Sequence, residues 1–219
     1  MKVITKFAYK PLQRTDGEGG RRYIVGEERT LPSVTTVLSN TKDMTHLKLW
    51  MERVGEVEAN RIKTEASGIG NSMHKNLENF ILGEAMTGSF LSKTLANVII
   101  KQGLSKVDEI WGTEVGVYAS GLYAGTTDLV GVHEGVPAIM DFKNSLKDKK
   151  KEWIEDYFMQ LAAYAMAHNE MFGTKINKGV VMIATREAKY QEFIIEGEEF
   201  THYSTKWAEK LCAYYERFE

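Results

Sequence analysis

The sequence predicts an α/β protein in which a central β-sheet is flanked by helices and preceded by a helical N-terminal region. Two observations support this prediction. Residues 45–101 repeat their apolar side chains mostly with helical spacing, and the pattern changes at Val107 to segments typical of strands. With 219 residues, 43% of them hydrophobic, the chain can bury a substantial core, so a disordered or fibrous protein is excluded.

The N-terminal region is predicted to contain a hairpin followed by helices. Residues 2–9 and 21–25 alternate with period two around a glycine-rich turn at 16–20, which favours a β-hairpin. Pro32 and Ser33 are placed to open a short helix. Three longer helices are then expected within residues 45–101, with breaks at Ser67-Gly68 and between Gly83 and Gly88.

The remainder is predicted to hold three strands joined as a meander, a helix, two more strands and a closing amphipathic helix. Glycine-containing breaks at Ser120-Gly121 and Glu134-Gly135 separate the first three strands. In chain order the elements are expected at 110–119, 123–133, 136–144, 151–172, 177–186, 190–196 and 198–218. We interpret residues 1–219 as one domain, with a hairpin and helical region at 1–106 and a core at 107–219.

Charge and cysteine content exclude several classes of protein. The 28 Lys and Arg against 30 Asp and Glu give a formal net charge of −2, so any nucleic-acid binding must come from local patches. Residues 1–64 carry a balance of +4, which makes the N-terminal third the better candidate for facing phosphate. The single Cys212 excludes a disulfide framework, a four-cysteine zinc site and a cysteine-ligated iron–sulfur cluster.

The chain is expected to be a soluble cytoplasmic protein. One free cysteine suits a reducing compartment. No apolar run approaches the ~18 residues that a membrane span needs, and the N-terminus lacks the apolar stretch of a signal peptide.

Two carboxylates and a lysine are predicted to meet at one edge of the sheet. Along the third strand of the meander, Asp141 and Lys143 point to the same face because side chains alternate. Asp128, placed at the end of the neighbouring strand, can converge on them. Paired carboxylates are ligands that Mg²⁺ or Mn²⁺ takes. An isolated D-x-K triplet is more often a surface ion pair, so these residues alone do not decide the function.

Two helices add polar pairs at i and i+4 spacing. Gln160 and Tyr164 project from one face of an otherwise apolar helix, although such groups also bond nearby backbone. His74 and Glu78 share a face upstream, where Gly68 and Gly70 are expected to allow close backbone approach, although a lone helical histidine is commonly exposed.

Taken in order, these elements resemble the RecB-type branch of the PD-(D/E)XK nuclease superfamily. The shared pattern is H-x-x-x-E on a helix, E on a strand, G-x-x-D-L-V, D-F-K, then Q-x-x-x-Y. The residues that fill the motif positions are His74, Glu114, Asp128, Asp141, Lys143, Gln160 and Tyr164. The resemblance covers about residues 70–195, and P-S-V-T-T-V-L at 32–38 extends it towards the mitochondrial genome maintenance exonucleases and related phage and bacterial exonucleases. The branch with four cluster-binding cysteines is excluded.

The resemblance implies a restriction-endonuclease-like core, a mixed central β-sheet flanked by helices, and metal-dependent phosphodiester hydrolysis that leaves a 5′-phosphate and a 3′-hydroxyl. Mg²⁺ or Mn²⁺ would be held by Asp128, Asp141, the carbonyl of Phe142, His74 and Glu114. Lys143 would orient and help deprotonate the attacking water or stabilise the developing negative charge. Gln160 and Tyr164 would hold that water or a phosphate.

The relatives degrade single-stranded DNA from its ends, so a DNA exonuclease that works beside replication or recombination proteins is the leading hypothesis. A structure-specific or flap endonuclease and a non-catalytic DNA-binding protein are the alternatives. The residues expected to contact DNA are Arg53, Arg61, Lys147, Lys149, Lys150 and Lys151, with Trp50 and Lys63 beside the two arginines. Trp50 as a core residue and the lysines as a solvated loop are the alternative interpretations.

Overall fold

A six-stranded mixed β-sheet forms the centre of the computed structural model, which describes residues 1–17, 19–26, 29–119 and 121–218, except for the side chain of His46. Three further strands form a smaller sheet. The strands are β1 Lys2–Val3, β2 Gln13–Gly17, β3 Gly20–Val25, β4 Arg29–Pro32, β5 Val107–Ala119, β6 Tyr123–His133, β7 Val136–Ser145, β8 Lys178–Thr185 and β9 Tyr190–Glu196.

Within the described residues, six α-helices accompany the sheets. They are α1 Val34–Asn40, α2 Thr45–Val54, α3 Glu56–Leu82, α4 Phe90–Gln102, α5 Glu155–Phe172 and α6 Gly197–Phe218, and short 3₁₀ helices span Leu104–Lys106 and Lys151–Trp153. None of these helices, within the described ranges, is long and apolar enough to cross a membrane.

The large sheet has the strand order β1-β5-β6-β7-β8-β9. Strands β5, β6 and β7 form the predicted antiparallel meander, and β8 and β9 are also antiparallel. Strand β8 runs parallel to β7, and parallel neighbours need a crossover connection, which α5 supplies. The predicted mixed central sheet flanked by helices is therefore confirmed.

Helices cover both faces of the large sheet and divide the core in two. One face packs under α1, α5 and α6, where Phe158 and Trp207 are fully buried. The other face packs under α3 and α4 around Met73 and Leu77. Successive side chains of β7 pack into opposite halves of the core, because side chains alternate along a strand. Ile139 belongs to the first half and Met140 to the second.

The N-terminal hairpin forms with a different first strand from the one predicted. Strand β3 pairs antiparallel with β2, and residues 2–3 instead pair parallel with β5. The sequence QRTDG of β2 is exposed along its whole length and has no apolar alternation to mark it as a strand. Glu18, in the predicted turn, and Ser120, in a predicted break, lie outside the described residues.

The prediction of three helices within residues 45–101 is confirmed, but one of the two predicted breaks is wrong. Helix α2 ends at Gly55, whose φ of 85° is costly for residues with a side chain. Helix α3 then continues through Ser67 and Gly68. A glycine inside a helix costs about 1 kcal/mol, and the packing of α3 on the sheet outweighs that cost.

The pairing of β6 with β7 stops halfway along both strands. Its last pair is Leu129 with Met140, so Asp128 and Asp141 come directly after the end of this ladder. The first half of β6 pairs onward with β5 and makes a single bridge to Ser33 through Ala124, and the second half of β7 pairs with β8. The two strands therefore diverge, and the opening between them is where the polar residues collect.

Candidate active site

Asp128 stands where β6 and β7 separate. It lies in the middle of β6, so the prediction that it ends a strand is wrong, and what ends there is the pairing with β7. Its Oδ2 accepts a 2.7 Å hydrogen bond from the backbone N–H of Phe142. Burial favours the neutral acid, but the charges of His74 and Lys143 and this hydrogen bond together lower the pKa of Asp128. The side chain is therefore an ionised carboxylate at the floor of the opening.

Asp141 and Lys143 lie on one face of β7, as predicted, and form an ion pair. Asp141 is only 1% exposed, and burial together with the nearby Asp128 carboxylate raises its pKa to about 6 despite the attraction of Lys143. Burial disfavours the charged form of Lys143, but the two aspartates outweigh it and raise its pKa. The ammonium also lies 5.0 Å from the ring centroid of Tyr157. Lys143 is thus a charged, fixed donor.

Helix α3 brings His74 to the same opening. Its Nδ1 lies 3.4 Å from Oδ1 of Asp128. Burial alone would lower the pKa of His74, but the Asp128 carboxylate outweighs this and raises it to about 9. Gly70 lies close to β7, because a Cβ there would lie 2.7 Å from Nδ2 of Asn144. The prediction of close approach is confirmed for Gly70 and wrong for Gly68, which has open space around it.

Glu114 adds a third carboxylate from β5. Its φ is 51°, a left-handed conformation that is unusual for a residue other than glycine, asparagine or aspartate. Partial desolvation in the pocket and repulsion from Asp128 raise the pKa of Glu114 to about 7. Ligand atoms of His74, Glu114 and Asp128 lie within 4.8 Å of one another. These three residues have the spacing and chemistry to hold one metal ion.

Helix α5 contributes the predicted polar pair. Nε2 of Gln160 donates a 3.1 Å hydrogen bond to the hydroxyl of Tyr164, and both side chains are buried. The sequence left open whether these two side chains bond nearby backbone. The structure shows a hydrogen bond between the side chains themselves. Gly125 on β6 admits the ring, because a Cβ there would lie 2.5 Å from Cε1 of Tyr164. Burial raises the pKa of Tyr164, so its hydroxyl stays protonated.

One pocket of about 550 Å³ gathers the side chains of all seven motif residues. It is lined by His74, Glu78, Glu114, Asp128, Asp141, Lys143, Gln160 and Tyr164, and also by Leu12, Arg14, Arg21, Tyr23, Thr35, Asn71, Lys75 and Thr126. A cavity of similar size, about 580 Å³, lies between the N-terminal segment and the end of α5, and it lacks such a polar cluster.

Sequence reasoning missed the contribution of the hairpin to this pocket. The excess of Lys and Arg in the N-terminal third indicated the part of the chain that supplies arginines to the pocket. The arginines predicted to contact DNA, however, were Arg53 and Arg61, which lie on helices. Had β2 been placed at 13–17, strand alternation would have put Arg14 on one face with Leu12 and Asp16. Lys75 also lines the pocket, although the H-x-x-x-E motif on this helix includes only His74 and Glu78.

The residues predicted to contact DNA lie away from the pocket. Arg53 is exposed on α2, and Arg61 on α3 pairs with Glu58 and Glu65 at 2.8 and 3.2 Å. Lys63 borders a shallow depression that shares Asn71 with the pocket. Trp50 is half-buried. Their contact with DNA stays a prediction.

The four lysines that follow β7 differ in their exposure and in the contacts that they make. Lys147 and Lys150 are exposed, and Lys150 lies over the ring of Trp153. Lys151 pairs with Glu199 at 2.7 Å. The backbone of Lys149 exchanges two hydrogen bonds with the side chain of Gln191. None of these four lysines lines the pocket.

We expect Glu114→Gln to flatten the pH dependence of stability in the metal-free protein. Because its folded-state pKa is raised from 4.5 to about 7, the folded state binds this proton more tightly, and the free energy of unfolding falls as pH rises between these values. The variant should lose that part of the slope and unfold about 2 °C higher than the parent at pH 8. Thermal unfolding in EDTA across pH 4 to 8 measures this.

The matched control is Glu134→Gln, which changes another glutamate with positive φ but lies outside the pocket. The control should keep the parent slope. An equal slope in parent and Glu114→Gln would show that crowding of carboxylates in the pocket does not affect stability.

Comparison with known proteins gives structural similarity only. No model of a known protein family matches the sequence, and no curated protein matches it. The protein SSO0001 is similar in structure, with a TM-score of 0.44 and 17% identity over 87% of this chain and 78% of that one. A protein of Eubacterium rectale that bears the provisional name of an exonuclease has a TM-score of 0.40 and 16% identity over 81% of this chain and 70% of its own. Similarity at this level assigns no activity to the chain.

Proposed function

We propose that the protein is a metal-dependent nuclease of the PD-(D/E)XK type that hydrolyses single-stranded DNA from its ends. The observation that supports it is the convergence of the motif residues. They come from α3, β5, β6, β7 and α5, lie far apart in sequence, and all line one pocket. Side chains with ordinary surface roles have no reason to meet in this way.

The donor set in the pocket fits a hard divalent cation. Glu114 and Asp128 offer two carboxylate ligands, and His74 would offer one nitrogen after releasing its proton, a release that metal binding favours. This combination suits Mn²⁺ or Mg²⁺, with waters completing the shell. We propose Asp141 and the carbonyl of Phe142 as further ligands. A bound ion would polarise a phosphoryl oxygen and lower the pKa of a coordinated water.

Lys143 is proposed to act on the attacking water or on the developing charge. Its ammonium is held by Asp141, so it needs little reorganisation when a phosphate arrives. Because the raised pKa keeps it protonated, it acts as a hydrogen-bond donor and a positive charge rather than as a base.

Gln160 and Tyr164 are proposed to position a phosphate oxygen or a water. Gln160 donates to the oxygen of Tyr164, so the proton of the tyrosine hydroxyl is left to donate elsewhere. The hydroxyl can therefore donate to an acceptor other than Gln160, and a phosphate bound in the same pocket would supply one.

The size of the pocket supports a single strand as the substrate. A volume of about 550 Å³ lies within the range of pockets that hold one small-molecule ligand. Such a volume accommodates one nucleotide. Because the hairpin and α3 both line the pocket, we propose a strand end or an unpaired segment as its substrate.

Digestion of end-labelled DNA tests this function. The substrates are linear single-stranded, linear double-stranded and circular single-stranded DNA, each with Mg²⁺ or EDTA. We expect Mg²⁺-dependent loss of the linear single strand alone. Lys143→Ala serves as the variant that lacks the ammonium of the pocket.

The other outcomes are equally informative. Cleavage of the circle would replace the exonuclease with a structure-specific or flap endonuclease. Binding of DNA by folded protein without any cleavage would favour a non-catalytic DNA-binding protein.

A further inference from the structure

The β2–β3 hairpin presents two arginines to the pocket that the proposed chemistry does not use. In its antiparallel register Arg14 lies opposite Tyr23, and Asp16 lies opposite Arg21, so all four side chains share one face. Arg14, Arg21 and Tyr23 line the pocket that contains Asp128. The two arginine side chains remain 49% and 38% exposed, so both can reach a ligand.

The hairpin is held firmly in this place. The carbonyl of Arg21 accepts hydrogen bonds from the backbone N–H of Ser33 at 2.9 Å and from Oγ1 of Thr36 at 2.8 Å. Gly20 packs so closely on α1 that a Cβ there would lie 2.8 Å from Cγ2 of Thr36. The backbone that carries Arg21 is therefore fixed to the start of α1.

A second tie joins the hairpin to the strand that carries Asp128. Oγ1 of Thr126 on β6 donates a 3.2 Å hydrogen bond to the hydroxyl of Tyr23. Thr126 lies two residues before Asp128 and on the same face of β6. The arginine face and the carboxylate floor are thus parts of one rigid arrangement, and this preorganisation lowers the cost of binding a ligand between them.

Asp16 engages the two guanidinium groups without neutralising them. Arg14 donates to its carboxylate at 2.8 Å, and Nε of Arg21 lies 3.7 Å from it. Each guanidinium has five N–H donors, so most donors remain for another acceptor. With one carboxylate between two arginines, this face keeps a charge of +1 opposite the acidic floor of the pocket.

We infer that Arg14 and Arg21 form a phosphate-binding subsite, which holds one phosphodiester of a single strand while another occupies the cleavage site. This inference rests on the proposed function. A guanidinium matches the oxygens of a phosphate in a bidentate fashion and does so regardless of base sequence. Asp16 competes with the phosphate for the same donors, so it limits the affinity of the subsite.

The first test removes both arginines. We expect Arg14→Ala/Arg21→Ala to bind a short labelled oligothymidylate about tenfold more weakly in EDTA, measured by fluorescence anisotropy. The slope of log K against log salt should decrease in magnitude by about 0.7, which corresponds to one phosphate contact to a single strand. In cleavage assays with Mg²⁺, the Michaelis constant should rise more than kcat falls.

The matched control is Arg22→Ala. Arg22 belongs to the same hairpin but points to its opposite face, where it donates to the carbonyl of Thr30. The control should retain the affinity and salt slope of the parent within about twofold. Thermal unfolding of both variants checks that the hairpin remains folded.

The second test is a substitution that should strengthen DNA binding, whereas the first should weaken it. Asp16→Asn removes the competing charge and keeps a side chain of the same shape, so we expect binding about threefold tighter than in the parent. A purely structural role of the Asp16–arginine contacts would instead weaken binding in this variant.

The outcomes separate this inference from the proposed function. If the parent digests linear single strands but Arg14→Ala/Arg21→Ala behaves like Arg22→Ala, the subsite is wrong and the nuclease stands. Weaker binding by Asp16→Asn would also overturn the subsite. If the parent neither cleaves nor binds DNA, the proposed function itself has failed.

Discussion

Lys143→Ala should lower the rate of single-strand hydrolysis by about 10³-fold while the protein remains folded. The ammonium is the cation that β7 places beside the two aspartates, and groups that donate to a transition state or its water contribute about 10²–10⁴-fold. Loss of the lysine leaves Asp141 buried without its counter-charge. Since the pKa of Asp141 is already raised to about 6, the carboxylate can take up a proton, which limits the loss of stability.

Initial rates on a linear single strand, with thermal unfolding of the same samples, measure this prediction. Lys175→Ala is the matched control, because Lys175 is an exposed lysine outside the pocket and is not among the residues predicted to contact DNA. Its rate should stay within about twofold of the parent. Lys143→Arg keeps the charge in a different shape and should recover only part of the rate. A folded Lys143→Ala that retains a tenth or more of the parent rate would remove Lys143 from the catalytic site.

Asp128→Asn should abolish both hydrolysis and stabilisation by metal. Asparagine retains an oxygen that can accept the N–H of Phe142, so the junction of β6 and β7 should persist. The change removes one anionic ligand from the group formed with His74 and Glu114. We expect a rate loss of at least about 10³-fold, and the loss of the thermal shift that Mn²⁺ gives to the parent.

The thermal shift is a readout that does not depend on activity. An ion present at 100 times its dissociation constant stabilises a folded protein by about 2.7 kcal/mol, or about 5–10 °C for a chain of this size. The control is Asp148→Asn, an exposed aspartate in the loop before α5, which should keep the full shift. An undiminished shift in Asp128→Asn would show that the ion binds elsewhere.

Much of the architecture follows from local patterns in the sequence. The sequence predicts the meander, the strands β8 and β9 and the closing helix within a few residues, because each has a clear apolar period and glycine lies at several of their boundaries. The wrong predictions concern segments whose local sequence pattern is weak or misleading. Strand β2 has no apolar alternation, and Ser67-Gly68 gave a stronger local break signal than Gly55.

The candidate site also has a part that local sequence patterns predict and a part that they do not. The sequence order of motif residues and the alternation along β7 were sufficient to predict that Asp128, Asp141 and Lys143 would meet. Neither predicts that β6 and β7 separate after Leu129 and Met140, since that depends on which neighbour each strand pairs with next. The hairpin arginines could not be placed at the pocket, because hydrogen bonds to Ser33, Thr36 and Thr126 hold the hairpin there.

The sequence by itself therefore determined the order and type of most elements and the chemical character of the site, since apolar period, glycine position and residue type are local properties of the chain. The tertiary structure decided which further side chains share the pocket with Asp128, Asp141 and Lys143, and how the groups in it are charged. Long-range pairing and burial decide both properties: they set the distance from His74 to Asp128, raise the pKa of Asp141, and bring Arg14 and Arg21 across from the carboxylates.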